Sequence, residues 1–133
     1  MHIPFINTFI NPGSLMISMY TIYRTEKFDK EFEKVLSHED QKHVQNFEKK
    51  QLTQNPLLGK PLGFSFLREK KVEHKRVYYL IYDDLKAVLM VGISDKKAQE
   101  HMIQDIKEHL KLYHEDAKTA LMQHDEFCPA SHV

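Results

Sequence analysis

The spacing of apolar residues along the chain predicts a strand, two helices, three strands and a last helix, in that order. Residues 19–24 are rich in β-branched and aromatic types, which is typical of a strand. Thr25 and Ser37 each precede a helical pattern and can accept hydrogen bonds as N-caps. The second helix must end before Pro56, because proline disfavours helical backbone in the residue before it. The apolar face of the first helix consists of Phe28, Phe32, Val35 and Leu36.

The middle of the chain predicts three strands, at residues 64–68, 75–83 and 87–93, with a hairpin tip at 70–74. Their short connections favour antiparallel pairing. Ser94 or Asp95 can cap the last helix. The apolar face of that helix consists of Ala98, Met102, Ile103, Ile106, Leu110 and Tyr113.

This order of elements predicts an α+β fold with a small, mostly antiparallel sheet of about four strands. The two early helices should form an antiparallel hairpin on one face of the sheet, and a C-terminal helix follows the last strand. We expect the other face to be only partly covered and therefore to be the natural place for a functional site.

The domain should span residues 19–115. Residues 1–18 carry no charge apart from His2 and lack the basic start of a signal peptide, so we interpret them as an N-terminal arm or an extended start. A short extra strand is the alternative. Residues 116–133 are predicted to be a polar tail, disordered after about Leu121.

Composition excludes several classes of protein. A chain of 133 residues is large enough for one domain with its own core. No apolar run approaches the roughly 18 residues that cross a membrane. The single cysteine, Cys128, excludes an internal disulfide framework and a cysteine-rich zinc site, and an unpaired thiol fits a reducing compartment such as the cytoplasm.

Positive charge is concentrated in the middle of the chain. The whole sequence has 19 basic and 19 acidic residues, which argues against a protein that coats nucleic acid by bulk electrostatics. Residues 60–94, however, carry 7 basic and 4 acidic side chains, most of the basic ones between Lys60 and Arg76. Such a stripe can bind phosphate, although a solvated hairpin that happens to be basic is the plainer explanation.

Several segments, taken in order, resemble the RelE/ParE toxin superfamily, the toxin halves of bacterial and archaeal toxin–antitoxin pairs. The resemblance covers about residues 19–114. It includes the strand Tyr-Thr-Ile-Tyr at 20–23 and the run Asn-Pro-Leu-Leu-Gly-Lys-Pro-Leu at 55–62. It also includes the arginine-led strand at 75–82 and the segment Val-Gly-Ile-Ser-Asp-Lys-Lys at 91–97.

The resemblance implies a messenger-RNA endoribonuclease that acts in the ribosomal A site and is neutralised by an antitoxin protein. The implied chemistry is attack of the ribose 2′-oxygen on the adjacent phosphate, which needs a base, cationic donors and an acid. It requires no cofactor and no metal. The implied partners are the antitoxin, the ribosome and mRNA, with no membrane.

Arg76 is the residue that the resemblance implicates most directly, because it matches an arginine that stabilises the phosphate. Arginine stays charged and can bond two phosphate oxygens. The alternative is an exposed arginine paired with Glu69 or Glu73. Arg68 is implied as a second catalytic residue. Strand alternation places His74, Arg76, Tyr78, Leu80 and Tyr82 on one face, and Val77, Tyr79 and Ile81 on the core face.

The resemblance also implies a set of RNA-binding residues around Arg76. Lysines supply charge without the bidentate fork of arginine. The aromatic member could stack on a base, although aromatic strand residues usually pack in a core. The set is Lys60, Lys70, Lys71, Lys75, Lys96, Lys97 and Tyr78.

RNA-cleaving relatives often carry a tyrosine near the start of the last helix, and this sequence has none there. His101 or His74 could supply the acid or base instead, since histidine titrates near neutral pH. Both are also ordinary surface positions. His101, Asp105 and His109 share one helix face, but no fourth ligand is apparent, so a solvated helix face is favoured over a zinc site.

Two other functions remain open from the sequence. The missing tyrosine favours a ParE-like inhibitor of DNA gyrase, which needs no general base. The neutral net charge favours a non-catalytic interaction module with the same fold.

Overall fold

The computed structural model describes the backbone of residues 19–131 and the side chains of residues 19–123. The predicted arm at 1–18 lies outside these residues. The strands are β1 (Thr21–Arg24), β2 (Lys60–Pro61), β3 (Leu67–Val72), β4 (Lys75–Tyr82) and β5 (Ala87–Asp95). The helices are α1 (Glu26–Val35), α2 (His38–Asn46), α3 (Gln99–Glu108) and α4 (Leu110–Ser131), with a π-helical segment Phe47–Leu52 and a 3-10 turn Pro56–Leu58.

The five strands form one sheet in the order β1-β5-β4-β3-β2. β1 pairs with β5 in parallel, and all other neighbours are antiparallel. The predicted α+β class is confirmed, with one strand more than expected. The additional strand, β2, has only two residues and lies in a segment whose proline and glycine predicted a loop.

The predicted helix starts are confirmed by their hydrogen bonds. The Thr25 hydroxyl accepts from the backbone N–H of Phe28 at 3.0 Å, and the Ser37 hydroxyl accepts from that of Asp40 at 3.1 Å. Because Phe28 and Phe32 are four residues apart, both rings face the sheet and are buried. Helices α1 and α2 and the π-helical segment therefore cover one face of the sheet, which we call the α1–α2 face.

The opposite face, which we call the α3–α4 face, is also covered. Tyr78 and Leu80 of β4 are fully buried there with Ile106 of α3 and Ala120 of α4. The expectation that this face is only partly covered is therefore wrong for most of its length. The sequence favoured a single helix after β5, whereas the chain breaks at His109 and forms two.

A bulge in β5 lets α3 lie close to the sheet. The register shifts between Tyr78 and Tyr79, which pair with Gly92 and Met90. Gly92 thus lies beneath α3, and a Cβ atom added to it would lie 2.7 Å from the sulfur of Met102. The missing side chain at this position allows the start of α3 to approach the sheet end where β4 begins.

We expect Gly92→Ala to destabilise the fold by no more than about 1 kcal/mol, because the flexible Met102 side chain can shift away from the new methyl group. Urea unfolding followed by circular dichroism measures this cost. The same substitution made in a Met102→Ala background should cost much less. An equal loss of unfolding free energy in the two backgrounds would show that Met102 does not hinder the alanine side chain.

Two boundaries differ from the sequence prediction for physical reasons. The strand predicted at 64–68 lies at Leu67–Val72, because the two adjacent lysines near its end, Lys70 and Lys71, hide the alternation. Its hairpin tip is correspondingly short, with Glu73 at a positive φ of 55°. Helix α4 continues through the segment predicted as a polar tail, and Ala117 in that segment is buried.

A buried ionic cluster joins β1 to the helices. Arg24 donates to both carboxylate oxygens of Glu48, at 2.9 and 2.7 Å, and to Asp29 at 3.2 Å. The guanidinium carbon also lies 4.1 Å from the centre of the Phe32 ring. Glu48 is fully buried, so its charge depends on Arg24 for compensation.

Candidate functional site

Arg76 lies at the end of the sheet where β4 begins and β5 ends. Its Cα pairs with Lys71 of β3 on one side and with Ser94 of β5 on the other. These three positions form one row across the α3–α4 face. The next row on the same face contains Lys60, Glu69, Tyr78 and Gly92.

The Arg76 side chain is largely shielded from water, with 11% of its surface exposed. Its Nε atom is buried and has no hydrogen-bond partner among the described residues. The carboxylate of Glu69 lies 3.9 Å away, which is an ion pair without a hydrogen bond. The predicted alternative of an exposed arginine is therefore not what the structure has, although the pairing with Glu69 is present.

A concave space of about 310 Å³ opens beside Arg76. It is lined by four basic and two acidic side chains and one histidine, so its walls have an excess of positive charge. We call it the Arg76 cleft; its lining residues are Lys71, Glu73, His74, Arg76, Asp95, Lys96 and Lys97. A concave, cationic, partly desolvated site of this kind favours an anionic group such as phosphate.

A series of hydrogen bonds links Tyr78, Ser94 and Asp95 next to Arg76. The hydroxyls of Tyr78 and Ser94 are 2.8 Å apart, and the Ser94 hydroxyl donates to the carbonyl of Asp95 at 2.9 Å. Burial raises the pKa of the Tyr78 hydroxyl, and its hydrogen bond with Ser94 offsets part of this effect. Tyr78 therefore stays protonated at neutral pH, and its hydroxyl donates to Ser94, whose own proton is donated to Asp95.

Glu69 and Gln99 belong to this site and were not predicted as functional. The amide nitrogen of Gln99, the first residue of α3, donates to the Glu69 carboxylate at 2.6 Å. This bond fixes the carboxylate next to Arg76. Strand alternation alone places Glu69 on the same face as Lys71, but the contact with Gln99 depends on how α3 packs across the sheet.

Arg68 is not placed as the resemblance implied. It pairs with Tyr79 and so belongs to the α1–α2 face, away from Arg76. Its guanidinium donates to the backbone carbonyls of Leu57, Gly59 and Ser65, at 3.1, 2.9 and 2.7 Å. These bonds hold the loops before β2 and β3 together, which is a structural role.

The predicted RNA-binding residues divide between the two faces. Lys71, Lys96 and Lys97 line the Arg76 cleft. Lys60 is exposed on the β2 edge, in the row next to Arg76. Lys70 and Lys75 belong to the opposite face, because they pair with Val77 and Val72 of that face. Tyr78 is fully buried and offers no ring face to a base.

The structure places only one of the two predicted histidines in the Arg76 cleft. His74 lies at the tip of the β3–β4 hairpin and lines the cleft. His101 is exposed on α3, two residues beyond Gln99, and is not among the cleft residues. Since Gln99 and Met102 face the sheet, His101 lies on the far side of the helix. His74 is thus the histidine that can act in the cleft.

The acidic and histidine side chains of the described residues do not form a metal site. Within residues 19–123, no three His, Cys, Asp or Glu side chains are grouped so as to hold a metal ion. Asp105 of the predicted helix face instead pairs with Lys27 at 3.7 Å and with His109 at 3.5 Å. No helix in this part of the chain is both long and apolar enough to cross a membrane.

The arrangement of sheet and helices matches solved structures of toxins. A free-state E. coli toxin RelE, a mutant with two arginines replaced by alanine, superposes with a TM-score of 0.58. The match covers 69% of this chain and 98% of that one, at 17% sequence identity. This chain has the RelE toxin fold. The resemblance that the sequence indicated is therefore confirmed for the fold.

Two toxin–antitoxin complexes share the RelE fold with this chain. The complex RelBE2 from Mycobacterium tuberculosis matches with a TM-score of 0.52 and 21% identity, over 61% of this chain and 94% of that one. The intact E. coli RelBE complex matches with a TM-score of 0.50 and 15% identity, over 58% and 95%. No family model matches the sequence. Comparison with curated proteins likewise finds no match.

Proposed function

We propose that this protein is a RelE-like toxin that cleaves messenger RNA in the ribosomal A site and so arrests translation. The observation that carries the proposal is the environment of Arg76. Its guanidinium is mostly shielded, its Nε has no hydrogen-bond partner among the described residues, and it borders a cationic cleft. A buried donor left without a partner is costly unless a ligand completes it.

In the proposed RNA cleavage, some residues of the cleft stabilise negative charge and another transfers a proton. The ribose 2′-oxygen attacks phosphorus as its proton passes to a base, and the bond from phosphorus to the 5′-oxygen breaks as that oxygen gains a proton. The products are a 2′,3′-cyclic phosphate and a 5′-hydroxyl. Arg76, Lys71 and the lysines at 96 and 97 stabilise the added negative charge, and His74 supplies proton transfer.

We also propose that an antitoxin protein controls this activity. The M. tuberculosis and E. coli relatives were solved as toxin–antitoxin complexes. An antitoxin segment that adds a helix or strand over the Arg76 cleft would cover its lysines and block access of phosphate. Acidic residues in that segment would complement the excess positive charge.

Mapping of messenger ends by primer extension in a translating bacterial extract tests the cleavage directly. We expect new 5′ ends within codons at the A site after addition of the protein, and none when initiation is blocked so that no ribosome holds the messenger. Intact messengers alongside inhibited gyrase supercoiling would favour the gyrase inhibitor. Intact messengers, unaffected gyrase and unimpaired growth would favour the non-catalytic module.

A further inference from the structure

A second cleft lies on the other side of the β3–β4 hairpin. It measures about 240 Å³ and is bounded by α2, the π-helical segment and β3. We call it the α2 cleft; its lining residues are His43, Asn46, Phe47, Gln51, Lys70, Lys71, Val72 and Glu73. Sites for drug-sized ligands start at roughly 300 Å³, so this cleft suits a smaller group such as one nucleobase.

The π-helical segment explains why two amide side chains line this cleft. Asn46 and Gln51 are five positions apart, a spacing that would separate them by about 140° around an α-helix. Hydrogen bonds of the π type join residues five apart and place these two on the same side. The same segment buries Glu48 and Leu52 on its other side. Single π turns are often found at functional sites.

Positive charge is placed at the mouth of the α2 cleft. The ammonium group of Lys70 lies 5.2 Å from the centre of the Phe47 ring, so the lysine extends over the π-helical segment rather than into bulk solvent. Phe47 itself is almost completely buried and forms an apolar wall instead of a stacking surface. The walls thus combine a cation with two amides, each of which has both a donor and an acceptor.

The two clefts are adjacent. Lys71 and Glu73 line both of them, and they lie at the outer edge of the sheet. β2 pairs only with Arg68 and Glu69, so the rest of β3 has no outer strand among the described residues. A sugar–phosphate backbone can pass over this edge from one cleft to the other.

We propose that the α2 cleft binds the messenger nucleotide next to the one that is cut in the Arg76 cleft. Asn46 and Gln51 bond the edge of its base, and Lys70 bonds its phosphate. Amides suit base edges because these present donors and acceptors side by side. The inference rests on the proposed function and adds a base-reading subsite to it.

Binding to ribosomes that carry an uncleavable messenger tests this subsite. The probe is a bacterial ribosome programmed with a messenger whose A-site codon is 2′-O-methylated, with each of the four bases placed in turn at the positions flanking the blocked phosphate. The wild-type protein should prefer one base at one flanking position. Asn46→Ala combined with Gln51→Ala should lower affinity for that base about tenfold and abolish the preference.

Two further variants separate a base-reading role from general effects of charge or folding. Gln54→Ala is the matched control, because Gln54 is an exposed amide that lines a different cleft, with Tyr20 and Asp83, and should change nothing. Lys70→Gln should weaken binding equally for all bases and reduce its salt dependence. It provides a second test if the amide double variant does not fold.

The outcomes separate the two proposals. Unchanged affinity and base preference in the folded amide variant would overturn the α2 subsite while leaving cleavage in the Arg76 cleft untouched. Binding that never depends on the messenger would overturn both proposals. A wild-type protein that binds with base preference but leaves an unmethylated messenger intact would retain the subsite and remove the cleavage.

Discussion

Arg76→Ala is expected to lower the rate of A-site cleavage by about 10²–10³-fold, the usual loss when one donor to a developing anion is removed. The residue is shielded at the wall of the cleft, where charge acts in a lower dielectric than water. Arg76→Lys should recover part of the rate, because it restores the charge but not the bidentate fork. Single-turnover cleavage on programmed ribosomes measures both changes.

Lys75→Ala is the matched control for this series. Lys75 precedes Arg76 in β4 but belongs to the opposite face, so its removal subtracts one cation without altering the cleft. The Arg76 variants should keep the wild-type circular dichroism, since the ion pair between the guanidinium and Glu69 is long. A folded Arg76→Ala protein that cuts at the wild-type rate would remove Arg76 from the mechanism.

Arg24→Met is expected to destabilise the protein by about 3–5 kcal/mol, because it leaves the charge of Glu48 buried without its main partner. A domain of this size is stable by only about 5–15 kcal/mol, so the loss is a large share of the total. Urea unfolding measures it. The cost arises from desolvation of the remaining carboxylate and not from the lost attraction alone.

A double-mutant cycle separates these two causes. Arg24→Met combined with Glu48→Leu should cost less than the sum of the single substitutions, because no buried charge is left unpaired. Lys30→Ala is the surface control; Lys30 pairs with Glu26 at 3.6 Å, and both side chains are well exposed. Additive costs at the buried pair would show that desolvation of an unpaired Glu48 is not the source of the loss.

The helices and strands could be predicted from the sequence where interactions between residues close in the chain determine them. Caps at Thr25 and Ser37 depend on hydrogen bonds within three residues, and the apolar spacing of Phe28 and Phe32 sets one helix face. The strand at 75–82 was predicted within a residue because its alternation is dense in aromatic and β-branched types. β3 was displaced because two lysines hide its alternation.

The candidate site could be predicted from the sequence only in part. The alternation within β4 placed Arg76 and Val77 on different faces of the sheet. The family resemblance then identified Arg76 as the main candidate for catalysis. Neither could show that Arg68 is held by three backbone carbonyls, because those carbonyls come from two different loops. Tyr78 was placed on the correct face, but its burial depends on helices that cover that face.

The sequence by itself therefore determined the α+β class, the order of elements, the basic middle segment and the importance of Arg76 as a hypothesis. Each of these depends on residues that are close in the chain or on a pattern of fixed period. The tertiary structure alone decided which lysines share a cleft with Arg76, that Gln99 holds Glu69 beside it, and that a π turn puts Asn46 and Gln51 on one wall. These features depend on register, on a β-bulge and on helix packing, which are set by contacts between distant residues that no local pattern encodes.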